Sequence, residues 1–311
     1  MRLTASLSLA LLQGAAASLC GSAGNTYECQ YEPPYKNMHY PPALPAAHFN
    51  GTAKVNGIDL WYATFGVPLE KTKAAGAAPV LFIHGNEANS QYFSHQIKAL
   101  QNLNYSFITM DSRGQGRSGD DVSKNITYDL MTKDVIGLMD HLDIDQVQVI
   151  GWSDGGIIGL DMAMNYTSRL DRLFSFGGSY NVNNGYNTTG DTSSLEPVEG
   201  WIKADFKRMS PTNLTYDQFD ARMTNLVLTE PTWGKAAFDR IPTLYEDPSA
   251  PLIWIVDGDS EELLNRNTAP TMHSWINGSS LVILPSVSHF AFLQDPDTFN
   301  AVVKRFLETT K

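Results

Sequence analysis

Short apolar runs alternate with helix-period segments along the chain. The runs are Val80–His84, Phe107–Asp111, Val147–Ile150 and Leu173–Phe176, with two more late, Leu252–Val256 and Leu281–Leu284. Near-continuous apolar runs predict strands covered on both faces, as in parallel sheets. Between them, apolar residues recur at helical spacing over Tyr92–Leu103, Leu130–Leu142, Ile157–Met164, Leu263–Ile276 and, after Pro296, Phe299–Leu307. In Leu130–Leu142 the residues Met131, Val135, Leu138 and Met139 share one stripe. Alternating strand and helix predicts an α/β fold built on a mostly parallel, doubly wound sheet. Upstream, Ala53–Ala63 predicts a hairpin turning at Asn56-Gly57.

The alternation stops from about 180 to 250. An Asn- and Tyr-rich loop, Ser179–Tyr186, leads into helical patterns around Val198–Met209, Tyr216–Leu228 and Lys235–Ile241. Sheet-type strands resume at 252, so this segment is expected to be an inserted helical cap rather than a separate domain. Its Tyr180, Tyr186, Trp201 and Phe206 are expected to line the substrate pocket.

The length, 311 residues, suffices for one large domain with a sizeable core. Acidic residues outnumber basic ones 33 to 22 and no Lys/Arg cluster exists, which argues against nucleic acid and anionic membranes as partners. Two cysteines cannot make a disulfide-framework miniprotein or a four-thiolate zinc site.

The first residues carry an address. Arg2 precedes an uncharged stretch, Leu3–Leu19, that ends in small residues, Gly14 to Ser18. That is the pattern of a secretory signal peptide over 1–17, cut after Ala17, and it is too short for a membrane span. Residues 18–48 hold Pro33, Pro34, Pro41, Pro42 and Pro45 and are expected to form an extended lead-in to the domain at 49–311. An extracellular location agrees with two further features. Cys20 and Cys29 are close enough in sequence to staple a small loop. Asn-x-Ser/Thr occurs at Asn50, Asn104, Asn125, Asn165, Asn187, Asn213 and Asn277, where chance predicts roughly three sites, so N-linked glycans are expected. Asn165 falls in a helical pattern, where packing could block it.

The chemistry is concentrated at Gly151-Trp152-Ser153-Asp154-Gly155, where a strand run hands over to a helical one. A nucleophile on a sharp strand-to-helix turn takes strained backbone angles, and side chains two residues away on either side would collide. Gly151 and Gly155 meet that need, and the helix N-terminus favours a developing anion at Ser153. A serine needs a base. Of the seven histidines, His289 follows the last strand, at the sheet end where such sites assemble. His84 also ends a strand but precedes Gly85, which suits a backbone turn; His39, His48, His95, His141 and His273 read as structural or solvated. The base needs a carboxylate to fix its tautomer. The strand Leu252–Val256 leads into Asp257, Asp259, Glu261 and Glu262, of which Glu261 is preferred and Asp259 is second. Backbone N–H groups of Asp154 and of Asn86, in the loop after the Val80 strand, are expected to form the oxyanion hole. Asp111-Ser-Arg-Gly-Gln-Gly-Arg-Ser118 reads as a structural glycine turn braced by Asp111 and Arg113.

In this order, a His-Gly loop, Asp-x-Arg-Gly-x-Gly-x-Ser, Gly-x-Ser-x-Gly, a late acid and a final His resemble the α/β-hydrolase superfamily over about 50 to 310. Within it, Gly-Trp-Ser-Asp-Gly-Gly-Ile (151 to 157) looks like the valacyclovir hydrolase (biphenyl hydrolase-like) branch. The resemblance implies Ser153 as nucleophile, His289 as base and the Glu261 position as acid, where the branch has Asp and this chain Glu. It also implies that Asp154, the acidic residue after the nucleophile, holds a substrate α-amino group. The expected activity is hydrolysis of small carboxylic esters or lactones through an acyl-enzyme, with no metal or organic cofactor. The rivals are carbon–carbon bond hydrolysis on the same three residues and a catalytically silent binding protein on this fold.

Overall fold

The computed structural model describes residues 38–185 and 195–311. The expected signal segment, Cys20, Cys29, Tyr186 and Asn187 lie outside the described residues.

The predicted hairpin forms β1 (Phe49–Val55) and β2 (Ile58–Gly66), with Val55 opposite Ile58. Asn56 (φ 44°) and Gly57 (φ 85°) supply the two positive φ angles that a two-residue hairpin turn of this kind requires. The apolar runs become β3 (Val80–Ile83), β4 (Ser106–Met110), β5 (Val147–Trp152), β6 (Leu170–Phe176), β7 (Leu252–Gly258) and β8 (Ser280–Leu284). Together the eight strands form one sheet in the order β1-β2-β4-β3-β5-β6-β7-β8. Strands β3 to β8 pair in parallel; β1 and β2 add an antiparallel edge. One expectation fails at β8, which is an edge strand. Ser280, Leu281 and Val282 are only partly covered and Ile283 is 45% exposed, with Leu284 alone buried, so an apolar run here does not mean burial on both faces.

Helices cover both faces, as the alternation predicted. On one side α3 (Tyr128–His141) and α4 (Asp154–Asn165) bury Met131, Val135, Leu138 and Ile158 against the sheet. On the other, α2 (Ser94–Leu100) and α10 (Pro296–Leu307) bury Ile97, Leu100, Phe299 and Phe306. Two short helices have too few turns to show a period and were not foreseen: α1 (Leu69–Ala74) and α9 (Ala291–Gln294). The pattern at Tyr92–Leu103 divides into a 3-10 turn, Ser90–Phe93, and α2. The pattern at Leu263–Ile276 shortens to α8 (Thr268–Trp275), because Leu264 is drawn into a β-bridge with Gly185.

Between β6 and β7 the chain forms α5 (Glu196–Met209), α6 (Tyr216–Thr229) and α7 (Lys235–Phe238) with no strand among the described residues. This is the expected cap. Thr215 and Gln218 close a capping box at the start of α6, whose Phe219, Met223 and Leu226 form its buried stripe. No helix among the described residues is long and apolar enough to cross a membrane.

After β3 the chain turns to β4 on one side and later to β5 on the other. Loops leaving β3 and β5 therefore diverge, which opens a crevice at their C-terminal ends.

Candidate active site

Ser153 sits in that crevice, between β5 and α4, with φ 54° and ψ −116°. A non-glycine residue held in such a conformation stores strain of order 1–3 kcal/mol. Packing enforces it: a Cβ on Gly151 would strike the Gly155 backbone, and one on Gly155 would strike Ile83. Across the crevice, a Cβ on Gly85 would come within 2.9 Å of the Ser153 Cβ. The Ser153 N–H donates to Phe176 O at 2.8 Å, which fixes the turn to β6.

His289 leaves the loop after β8 and lines the same two cavities as Ser153. Its Nδ1 faces both Glu261 oxygens at 3.0 and 2.9 Å. Its Nε2 is buried and has no hydrogen-bond partner, so no bond to Ser153 is formed in this state. Catalytic hydrogen bonds of this kind commonly tighten only once substrate is bound. Gly177 (φ 60°) makes room for the ring, since a Cβ there would lie 2.8 Å from His289 Cε1. Trp152 flanks it, with ring centroids 5.9 Å apart.

Of the four carboxylate candidates, Glu261 faces the imidazole. Burial would raise its pKa, but the His289 charge and hydrogen bonds from His289, Asp257 and the Leu263 N–H hold it below the usual range. Burial would lower the His289 pKa; Glu261, then Glu262 and Asp154, carry it above the usual value. Asp259 is turned elsewhere, accepting from the Ser260 hydroxyl. No local pattern points to the parts played by the other two. Glu262 accepts the His289 N–H at 3.0 Å and the Ser288 hydroxyl at 2.9 Å, fixing the backbone that carries the imidazole. Asp257 is buried beside Glu261; burial and then the Glu261 charge push its pKa well up, so it keeps its proton and donates it to Glu261. Four acids in six residues signalled a site, but only the fold sorts their roles.

Asn86 and Asp154 both line the second cavity with Ser153 and His289, and no hydrogen bond engages either backbone N–H among the described residues. The Asp154 carboxyl is buried. Its Oδ1 accepts from the Tyr128 hydroxyl at 2.7 Å and its Oδ2 has no partner. Burial pushes its pKa up to about 6, against the lowering effects of Tyr128 and His289.

Two expectations need correction. Asp111 does brace the glycine turn, but with Arg117, whose Nε lies 2.7 Å away and whose guanidinium stacks on Trp61 at 3.4 Å. Arg113 instead forms a fully buried pair with Asp134 of α3. In the cap, Tyr180, Trp201 and Phe206 do not line either cavity at Ser153. They pack on Trp275, Tyr40 and Phe219, because an aromatic ring lowers its energy more by stacking on another ring than by facing a wet cleft. His84 is structural, as expected: its Nε2 accepts the Ser112 N–H at 2.9 Å.

Comparison with known proteins gives a consistent result. The alpha/beta hydrolase fold family matches residues 78–296. The human serine hydrolase BPHL is 28% identical over 289 residues, covering 87% of this chain and 92% of that protein. A Pseudomonas putida 2-hydroxy-6-oxononadienedioate/2-hydroxy-6-oxononatrienedioate hydrolase is 24% identical over 264 residues, covering 75% and 88%. Among solved structures, the enol-lactonase of Burkholderia xenovorans LB400 superposes with a TM-score of 0.64 at 18% identity, covering 83% of this chain and all of that one. The strained serine turn at the sheet's switch point and this family match lead to one conclusion: the chain belongs to the α/β-hydrolase fold family and is a hydrolase.

Proposed function

We propose that the protein is a secreted serine hydrolase that cleaves small carboxylic esters or lactones. The observation that carries this is a free, buried imidazole nitrogen sharing a cavity with a strained serine while its other nitrogen faces a buried carboxylate. In this reading Ser153 Oγ attacks the carbonyl carbon and His289 Nε2 takes its proton. Glu261 keeps the imidazole in the needed tautomer and balances its positive charge. The N–H groups of Asn86 and Asp154 receive the negative charge on the carbonyl oxygen. Collapse expels the alcohol, which leaves with the His289 proton. Water then gives a proton to His289 and attacks the acyl-serine; as the acid leaves, that proton passes from His289 to Ser153 Oγ. The unpartnered Oδ2 of Asp154 suits an α-amino group on the acyl part. Export and glycosylation complete the proposal, supported by the exposed side chains of Asn50, Asn104, Asn125, Asn165, Asn213 and Asn277. Asn165 is the weakest acceptor, its amide being tied to Asp161 and Arg240.

A second reading, hydrolysis of a carbon–carbon bond in a vinylogous diketone, draws on the likeness to the Pseudomonas putida hydrolase. A panel of p-nitrophenyl esters, aminoacyl esters, lactones and such a diketone separates the two. Turnover of the esters with none of the diketone supports the esterase; the reverse replaces it. Asp154→Asn is expected to weaken aminoacyl esters roughly tenfold more than simple ones, the value of one charged hydrogen bond. Equal losses would remove the amine from the reading.

A further inference from the structure

Two cavities meet at Ser153, and their walls differ. The first, of about 280 Å³, is mostly apolar at Ile157, Val182, Val227, Leu228 and Leu264, with two acids, Glu230 and the Asp154 that both cavities share. The second, of about 530 Å³, is bordered by five carboxyl groups, Glu87, Asp154, Glu199, Asp217 and Asp220. Besides His289, its single basic residue is Lys203. Lys203 is exposed and its ammonium lies over the Tyr216 ring, 5.4 Å from the centroid; no ion pair joins it to any of the five among the described residues.

The acidic wall has a second, independent sign of a missing ligand. Apart from Asp154 Oδ2, two polar atoms around this cavity are buried with no partner: the hydroxyl of the fully buried Tyr92, and Glu87 Oε1. A buried polar atom without a partner costs about 1–3 kcal/mol, and a bound donor would recover that cost. The carboxyls are spread along the loop after β3, α4, α5 and α6, and no three acids or histidines among the described residues could hold a metal ion. Spread-out negative charge suits an extended organic cation rather than an inorganic one.

We infer that the second cavity is a cation subsite, in which Glu87 and Asp220, flanked by Glu199, hold an ammonium or guanidinium group borne by the substrate several atoms from the bond that is cleaved. The inference rests on the esterase reading, and is separate from the α-amino contact of Asp154. It divides the substrate into an uncharged half for the apolar cavity and a positively charged half for the acidic one. The local field agrees. Burial, then Asp220, Asp154 and Glu199, push the Glu87 pKa up to about 8. Burial, then Glu87, Asp220, Glu199 and Asp217, push Tyr216 up to about 12. The groups facing Glu87 are Tyr92, Asp154 and His289 from the sheet side, and Glu199, Lys203, Tyr216, Asp217 and Asp220 from the cap. Near neutrality Glu87 holds a proton against Asp220. A cation entering there displaces it, so cation preference should strengthen as the pH rises through about 8. An alkylammonium stays charged over that range.

The test compares kcat/KM for matched pairs: the ε-aminocaproyl against the caproyl p-nitrophenyl ester, and an aminoalkyl against an alkyl ester of one acid. At least one pair is expected to favour the charged member roughly tenfold, the value of one partly desolvated charged hydrogen bond. In the double variant Glu87→Gln, Asp220→Asn that ratio should fall to about one and its rise with pH should vanish, with the neutral ester serving as reference within each protein. Charged and neutral members turning over equally in both pairs, or a ratio that survives the double variant, overturns the subsite. If no ester is cleaved, the esterase reading fails instead. Calorimetric titration with butylguanidinium then judges the subsite alone: weaker binding to Asp220→Asn than to the unaltered protein supports it, and equal binding overturns it.

Discussion

The sheet end and the cap face each other across the site but are built differently. At the sheet end each group is held by several others. Glycine backbones confine Ser153, and a carboxylate, an aromatic wall and the Gly177 gap confine His289. The cap contributes half-exposed residues on two amphipathic helices, and its charged groups face a wide cleft. Chemistry needs groups fixed to within fractions of an ångström, whereas choosing a substrate needs only the right charge in the right region. Reaction type should therefore respond to changes at the sheet end, and preference among substrates to changes in the cap.

The hardest break is Ser153→Ala, expected to lower kcat about 10^5-fold on every ester and to abolish fluorophosphonate labelling. Residual turnover near the normal rate would end the sheet-end account. Next is Glu261→Ala, expected to lower kcat about 10^3-fold to 10^4-fold while Asp259→Ala stays close to the parent. The reverse pattern in steady-state kinetics would make Asp259 the acid. A smaller effect comes from pH. The base must be neutral to accept a proton, and the folded His289 pKa lies above 6.5, so kcat/KM should climb as the pH rises through that higher value. Glu261→Gln removes the charge that raises it, and the midpoint of the acid limb should move down. The mildest change is Phe206→Ala in the cap. Phe206 stacks on Phe219 at 4.7 Å and stays outside both cavities, so Tm should fall by a few degrees with kcat/KM little changed. A large loss of activity there would show that the cap takes part in chemistry.

The same contrast decides what could be read from the sequence. Sheet strands, the serine turn and the His289 position are written in local patterns, because strand burial and a sharp turn each demand particular residue types at fixed spacing. Its place after β7 ranks Glu261 first among neighbouring acids, but Glu262 and Asp257 act through contacts made only when the loops after β7 and β8 meet. The cap aromatics misled for the opposite reason. Size and apolarity say that Trp201 and Phe206 bury surface, and nothing local says against what. Glu87 is separated by 133 positions from Asp220, and no pattern in a single sequence joins them.

The loops after β7 and β8 are tied together by Asp259 N–H to Leu284 O, Ser260 N–H to Val287 O, and Glu262 to both Ser288 and His289. Carboxylate and imidazole thus travel as a single rigid piece. A substrate pressing on the ring cannot tilt it without dragging its counter-charge along, so in the proposed mechanism the ring would meet the incoming hydroxyl and, a half-reaction later, the incoming water in the same attitude.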